Sequence, residues 1–502
     1  MRSLLRHRIF AVIFILAVIP RVLATVGFTP AVWFDDSFEY VGVAERMQPY
    51  AVRPSGYSFL LWMMRPLHSF AVVVAAQHMM GLAMGVMIYA LILRRAPGVR
   101  KGWAVLAATP VLFDAYQIFF EHAVLSDVLF AFLVMATVTV VLWSPSVSYV
   151  YAVGSGILVA AAALTRSIGL LLVPLLAGYL LLSRSGWRIL LTAAVATAVP
   201  LGGYAAWYGS WHGSPGLTAG SGVWLWARTM PFADCDKIVP PADEAVLCPE
   251  QPVENRESSP HFIWSDWSPL RKVPGHQVIT RADLFQPGID ELAGRLARRA
   301  ISSQPLDYLD LVFHDLQQTL NWRRGPRPGS APIPYNRYAF PNVSGALPNE
   351  VRVRGGNVRE DLEAYEQGQA GTRLSEPAAA FVRGYQTYVF LPGPVVAGLA
   401  VGALLSYAGL CLVTIRRKVA GNAVREAAFP LVTGLALALG PVLVTSYDSR
   451  YLLVCVPLFC LALALVVFSR THGKSDAERV ASSGRSLRVT KRAAERRHAA
   501  RT

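Results

Sequence analysis

Asp35, Asp36, Arg53, Glu121, Asp127 and Arg166 are ionisable residues at the ends of apolar stretches, where lipid penalises charge. Each therefore needs a partner, water or a task. A carboxylate can take the proton of an attacking hydroxyl. A guanidinium fixed at the Arg53-Pro54 break can hold a phosphate bidentately, or can simply snorkel to the headgroups. Asp127 lies inside an apolar run and calls for a cation on a neighbouring helix. Arg166 is the candidate, either as a structural ion pair or as part of a site. Together these groups offer what cleavage of a sugar–phosphate bond requires. Cations stabilise the leaving phosphate, and a carboxylate acts as base for the acceptor. His78 and His122 read as packing or hydrogen-bonding residues, and Arg21 as a snorkelling one.

The elements that must carry these residues are membrane helices. The chain has 502 residues, 54% hydrophobic and 16% charged, and several apolar runs reach the ~20 residues that cross a bilayer. The fold class is an all-α polytopic membrane protein with about ten spans, near 8–28, 69–93, 102–120, 123–143, 147–165, 168–183, 188–209, 387–414, 428–446 and 452–469. No small-residue cleavage site precedes the acidic stretch, so the first run reads as a retained helix. Residues 1–209 form a first transmembrane unit with interfacial helices at 34–64. Residues 210–386 form an extracytoplasmic insert, 387–469 the last spans, and 470–502 a basic cytoplasmic tail read as disordered. The net charge of +15 is no nucleic-acid signal. Ten Lys/Arg against three Asp/Glu lie in that tail, and most other cationic clusters fall in short loops on one face. The same rule puts both termini in the cytoplasm and Asp35/Asp36, Glu121, Arg166, the insert and the Tyr447–Tyr451 loop outside, in a cell (inner or plasma) membrane.

Around the paired acids, Phe38, Val41 and Ala44 repeat at helical spacing, with Asp35, Glu39, Gly42 and Arg46 on another face. That predicts a short helix in the outer interface. Neighbouring helical residues point ~100° apart, so one aspartate faces the site while the other caps the helix. Cys235 and Cys248, both outside, are close enough in sequence for a disulfide. Cys411, Cys455 and Cys460 read as packing residues. The stretch Asp307–Trp322 has a helical apolar pattern that fits either a membrane-surface helix or, preferred here, a helix packed within the insert. Asn342-Val-Ser344 is formally a glycosylation sequon, read as chance.

These residues also carry a resemblance. Asp36-x3-Tyr40-x3-Ala44, the break Arg53-Pro54-Ser55-Gly56-Tyr57, Asp127, Arg166 and the late Asp448-Ser-Arg450-Tyr451 element resemble the GT-C superfamily of membrane glycosyltransferases. They are similar in particular to its polyprenyl-phosphate-sugar-dependent, family 39-like branch of protein O-mannosyltransferases and aminoarabinose transferases. The resemblance covers about residues 1–210 and the last loop. It implies a GT-C-type bundle and an inverting hexosyl- or pentosyltransferase of the cell envelope. The donor would be a polyprenyl-phosphate sugar and the acceptor an extracytoplasmic glycan, lipid or protein. By position, Asp36 would be the catalytic residue, with Asp35 as the other candidate. Arg53 and Arg166 would bind the donor phosphate, while Asp127, Glu121, Tyr40 and Arg450 support them. No cofactor is required, although Asp35 and Asp36 could hold a divalent cation. The aminoarabinose transferases favour Lys at the positions of Arg53 and Arg166, and a second acid after the first, where Ser37 stands here. A lipid-linked-glycan ligase or polymerase, using Arg323-Arg324-Gly325-Pro326-Arg327, is the alternative reading. A secondary transporter is a more distant one.

Overall fold

A computed structural model describes residues 7–324, 338–417 and 422–468. The tail 470–502 and Arg327 lie outside the described residues. The chain is an all-α polytopic protein. Six helices are long and apolar enough to cross a membrane, or seven if one bent pair is a single span. The long ones are α1 (Arg8–Gly27), α4 (Phe70–Arg95), α10 (Trp187–His212), α16 (Gly393–Arg417), α17 (Asn422–Val444) and α18 (Ser449–Phe468). Every one of the ten apolar segments is helical, but α7 (Ser126–Leu142), α8 (Tyr149–Thr165) and the 167–182 segment, ending in α9 (Leu172–Leu182), are shorter. At 1.5 Å per residue, a 17-residue helix reaches only about 25 Å.

The bent pair is α5 (Lys101–Phe113) and α6 (Ala115–His122), which meet at 50°. Asp114 makes the break, since its extended backbone ends α5 and its side chain caps α6 by accepting from Tyr116 N–H. The side chain then recruits Arg324 of the insert in a buried ion pair. Two short helices, α2 (Asp35–Arg46) and α3 (Gly56–Met64), join α1 to α4 on the insert-bearing face.

The insert is helical as well. It contains α11 (Ser221–Thr229), α12 (Pro287–Ser303), α13 (Pro305–Gln317), α14 (Val358–Glu366) and α15 (Ala378–Tyr388). The only paired strands among the described residues are β1 (Phe28–Thr29) and β2 (Arg373–Leu374), antiparallel. Trp226, Phe262 and Phe285 centre an insert core that extends into Val43, Tyr50 and Val52 beside the site. Cys235 and Cys248 are disulfide-bonded within it. Cys455 and Cys460 are buried, and Cys411 is partly buried.

Candidate active site

Asp36 occupies the second position of α2. Phe34 precedes the helix with extended backbone, and Phe34 N–H donates to Ser37 Oγ at 2.9 Å, which fixes the first turn. The two acids sit at the helix N-terminus, where the backbone dipole favours them. They diverge as the helical turn requires. Asp35 turns to the insert, accepting from Arg281 at 2.7 Å and Arg352 at 3.2 Å. Asp36 turns into the bundle. The helix does not lie open in the interface as its apolar stripe suggested. The insert covers it, with Arg46 bonded to Asp361 at 2.9 Å and Gly42 tucked under Val353.

Three arginine contacts define the Asp36 carboxylate. Arg53 donates through Nη1 and Nη2 at 2.9 and 2.8 Å, while its Nε donates to Glu39 at 2.7 Å. Arg450, at the start of α18, donates to Asp36 Oδ2 at 2.8 Å. Burial works to raise the Asp36 carboxyl, but the charges of Arg53 and Arg450 overcome it and hold it well below the usual carboxylate range. Glu39 goes the other way. Burial raises it, with the neighbouring Asp36 charge adding to the effect against the pull of Arg53.

Arg450 is the bridge to the second half of the site. Its guanidinium stacks near the rings of Phe34 and Tyr451, 5.3 and 5.5 Å from their centroids. Arg166 lies 5.3 Å from the same Tyr451 ring. Arg166 stands where α8 ends in extended backbone, and it donates to Asp127 Oδ1 at 2.5 Å. Asp127 Oδ2 is buried with no hydrogen-bond partner among the described residues. Asp127, Arg166, Arg450 and Tyr451 line one narrow cavity. Beyond Tyr451 and Asp448, an apolar groove runs between α16, α17 and α18. Asp448 shapes the Arg450 turn by accepting from its N–H at 3.1 Å, and it accepts from Tyr338 Oη at 2.7 Å.

The placement of the sequence-derived residues is therefore specific. Asp36, Arg53 and Arg450 meet directly, and Arg166 with Asp127 joins them through the Arg450 cavity. Arg53 is not among the residues lining that cavity, and both ends of its fork are already occupied by carboxylates. Tyr40 is one helical turn from Asp36, its hydroxyl within 2.8 Å of Ser126 Oγ. Glu121 stands apart from the site. It accepts from Arg21 at 2.7 and 2.9 Å and from Gln117 at 2.9 Å, and lies 2.9 Å from His78 Nδ1. Arg21 is buried and paired, and so does not snorkel. Its guanidinium also donates to the Ala17 and Leu112 carbonyls.

That cluster still serves the site indirectly. His122 follows Glu121, and its carbonyl accepts from Val32 N–H at 3.2 Å, while Val124 N–H donates to Val32 O at 3.2 Å. The strand-like bridge clamps the segment leading to Asp36 against the one leading to Asp127. Sequence reasoning passed over Glu39 and Ser126, and gave Arg450 only a supporting part. The one signal for Arg450 was its place in the Asp448-Ser-Arg450-Tyr451 turn.

Close approach at Gly56 holds the start of α3 against the end of α8. A Cβ there would sit 2.5 Å from Leu164 O and 2.8 Å from Thr165 N, at the end of α8. Backbone cannot yield as a side chain can, so Gly56→Ala should cost about 1–3 kcal/mol. A lowered midpoint in detergent-solubilised thermal unfolding checks this.

A divalent cation does not fit the two aspartates. Their oxygens are held by four guanidinium groups, which repel a cation, and they face different elements. Among the described residues, no group of three or more His, Cys, Asp or Glu is arranged for a metal.

No family model and no curated protein matches the chain. Among solved structures, it is similar to the Saccharomyces cerevisiae protein O-mannosyltransferase Pmt1–Pmt2 complex bound to the sugar donor. Identity there is 19% over 41% of this chain and 33% of that one, with a TM-score of 0.32. It is similar also to the Archaeoglobus fulgidus oligosaccharyltransferase, at 12% identity over 94% and 52% of the two chains, TM-score 0.40. ArnT from Cupriavidus metallidurans bound to undecaprenyl phosphate matches at 14% over 94% and 80%, TM-score 0.33. The chain spans a third of the first structure's length and about half of the second's. These likenesses are loose, and the chemistry rests on this chain's own side chains.

Proposed function

We propose that this chain is an inverting membrane glycosyltransferase. It takes a sugar from a polyprenyl monophosphate and transfers it to an extracytoplasmic glycan, lipid or protein of the cell envelope. The observation that carries the reading is Arg450, which holds the Asp36 carboxylate with one nitrogen while lining, with Arg166, a cavity that shares its Tyr451 wall with an apolar groove. An amphiphile with an anionic head and a long tail matches that sequence of environments.

In this reading, the donor phosphate lies between Arg166 and Arg450, its tail in the groove. Drawing the charge of Arg450 toward the phosphate relieves the hold on Asp36 and strengthens it as a base. The acceptor hydroxyl gives its proton to Asp36 and its oxygen attacks the anomeric carbon. The bond from that carbon to the phosphate oxygen breaks, and its electron pair stays on the phosphate, which leaves as polyprenyl monophosphate between the two guanidinium groups. A single displacement inverts the anomeric configuration. Arg53 orients Asp36 through its fork, and Glu39 holds Arg53 by Nε. Asp127 sets the direction of Arg166. No divalent cation enters this scheme. The chain would lie in the plasma or inner membrane with its termini in the cytoplasm and this face outside.

Polymerase or ligase chemistry run from the arginines at 323–327 finds less support. Arg324 is buried against Asp114 and also donates to Leu391 O at 2.9 Å, while Arg323 packs over Phe390.

The test is turnover by the purified chain in lipid nanodiscs, with a panel of polyprenyl-monophosphate sugars and lipid, glycan and peptide acceptors. Transfer from at least one donor is expected, and no transfer from any would overturn the reading. Arg166→Ala should raise the donor KM more than it lowers kcat. The lost phosphate contact is made in the ground state as well as the transition state. Initial rates against donor concentration measure that split.

A further inference from the structure

The helix α13 and the turn after it leave an apolar stripe in the open. Leu306, Leu309, Phe313 and Leu320 share one side at helical spacing, and Leu306 and Phe313 are 77% and 62% exposed. Val312, on the opposite flank, is buried. The preferred sequence reading, a helix packed within the insert, would have covered the stripe instead. Asp307 and His314 are exposed on the remaining face, and Asp310 borders the stripe.

Two contacts fix where this helix sits. Near its start, Tyr308 Oη donates to Leu443 O at 2.8 Å, one residue from the end of α17. Past its end, Gly393 N–H, the first residue of α16, donates to Trp322 O at 3.3 Å. A Cβ on Gly393 would meet the carbonyls of Thr319 and Asn321 at 2.3 Å, so the approach is close. Helices α16 and α17 pack against each other, and Leu443 and Gly393 both bond to this one stretch, so those two ends are on the same side. The helix therefore rests across the insert-side ends of two membrane-spanning helices and runs along the surface. Leu316 and Thr319 form one wall of the apolar groove at the same level. Trp322, 65% exposed, stands beside them, and tryptophan favours the headgroup level.

We propose that Pro305–Gln317, with Leu320 and Trp322 behind it, lies in the bilayer interface with its Leu306/Leu309/Phe313/Leu320 stripe among the acyl chains. The occupant of this face is lipid. Its neighbours are the ends of spans, and its polar side carries Asp307, Asp310 and His314 with no Lys or Arg, so insertion relies on apolar area and needs no anionic headgroup. This inference is independent of the transferase reading.

A polarity-sensitive fluorescent amino acid, introduced by stop-codon suppression in place of Phe313, tests it on the full chain. The protein is placed in nanodiscs of zwitterionic phosphatidylcholine, with or without bromine on the acyl chains. A second sample carries the probe in place of Leu309, so that the result does not hang on one substitution, and a third carries it in place of Asp307. Bromine should quench the Phe313 and Leu309 probes by roughly twofold or more and spare the Asp307 probe. Absence of quenching at both stripe positions, with either aqueous or blue-shifted emission, would overturn the proposal. Equal quenching at all three positions would overturn it too.

Discussion

Asp36→Asn is expected to lower sugar transfer by about 10²–10⁴-fold, the usual worth of a positioned general base. The amide keeps the shape of the carboxylate and can still accept from Arg53 or Arg450. It cannot take the proton of the acceptor. Donor binding should change far less than turnover, because Arg166 and Arg450 remain at the cavity. Asp35→Asn provides the contrast. Asp35 is held by Arg281 and Arg352 of the insert and faces away from the cavity arginines, so its loss should mainly loosen the insert. A transfer assay with donor-binding isotherms on both variants separates the two roles. Full activity in Asp36→Asn would remove the proposed base, and a dead Asp35→Asn beside it would move the role by one residue.

The largest effect on stability should come from the second cluster. Glu121→Gln removes the only carboxylate that Arg21 touches among the described residues and leaves a buried guanidinium without a counter-charge. That class of change costs about 3–5 kcal/mol. Space there is tight, as a Cβ on Gly81 would lie 1.6 Å from Glu121 Oε1, so no other acid can swing in from that side. Replacing both partners by apolar residues, Arg21→Met with Glu121→Leu, should recover much of the loss, because no unpaired charge then remains. Thermal unfolding of the two single variants and the double variant in detergent measures this coupling. Equal midpoints for Glu121→Gln and the unaltered chain would contradict the account.

The sequence was most informative where lipid makes charge expensive. Asp127 and Arg166 are isolated charges among apolar neighbours, and the high cost of burying either one alone implies a partner. The helical turn likewise separates Asp35 from Asp36, and they do face different elements. Long-range pairing was harder to see. Arg450 meets Asp36 across 414 residues, and nothing local to either residue signals it. Arg21 looked free to snorkel because its carboxylate is 100 residues away, at the far end of a bent pair of helices. The pattern of α2 was helical as expected, but a hydrophobic stripe cannot reveal that residues 350–366 fold back over its polar side. For α13 the reverse holds. Its stripe was visible, and only the contacts with Leu443 and Gly393 distinguish a surface helix from a packed one.

Product stereochemistry tests the central claim most directly. The chain in nanodiscs is given a polyprenyl-monophosphate sugar of defined anomeric configuration and an acceptor, and the glycosidic product and lipid by-product are followed by NMR. The account predicts an inverted anomeric centre and release of free polyprenyl monophosphate in equal amount. A retained configuration, or a turnover that requires and releases polyprenyl diphosphate, would contradict it.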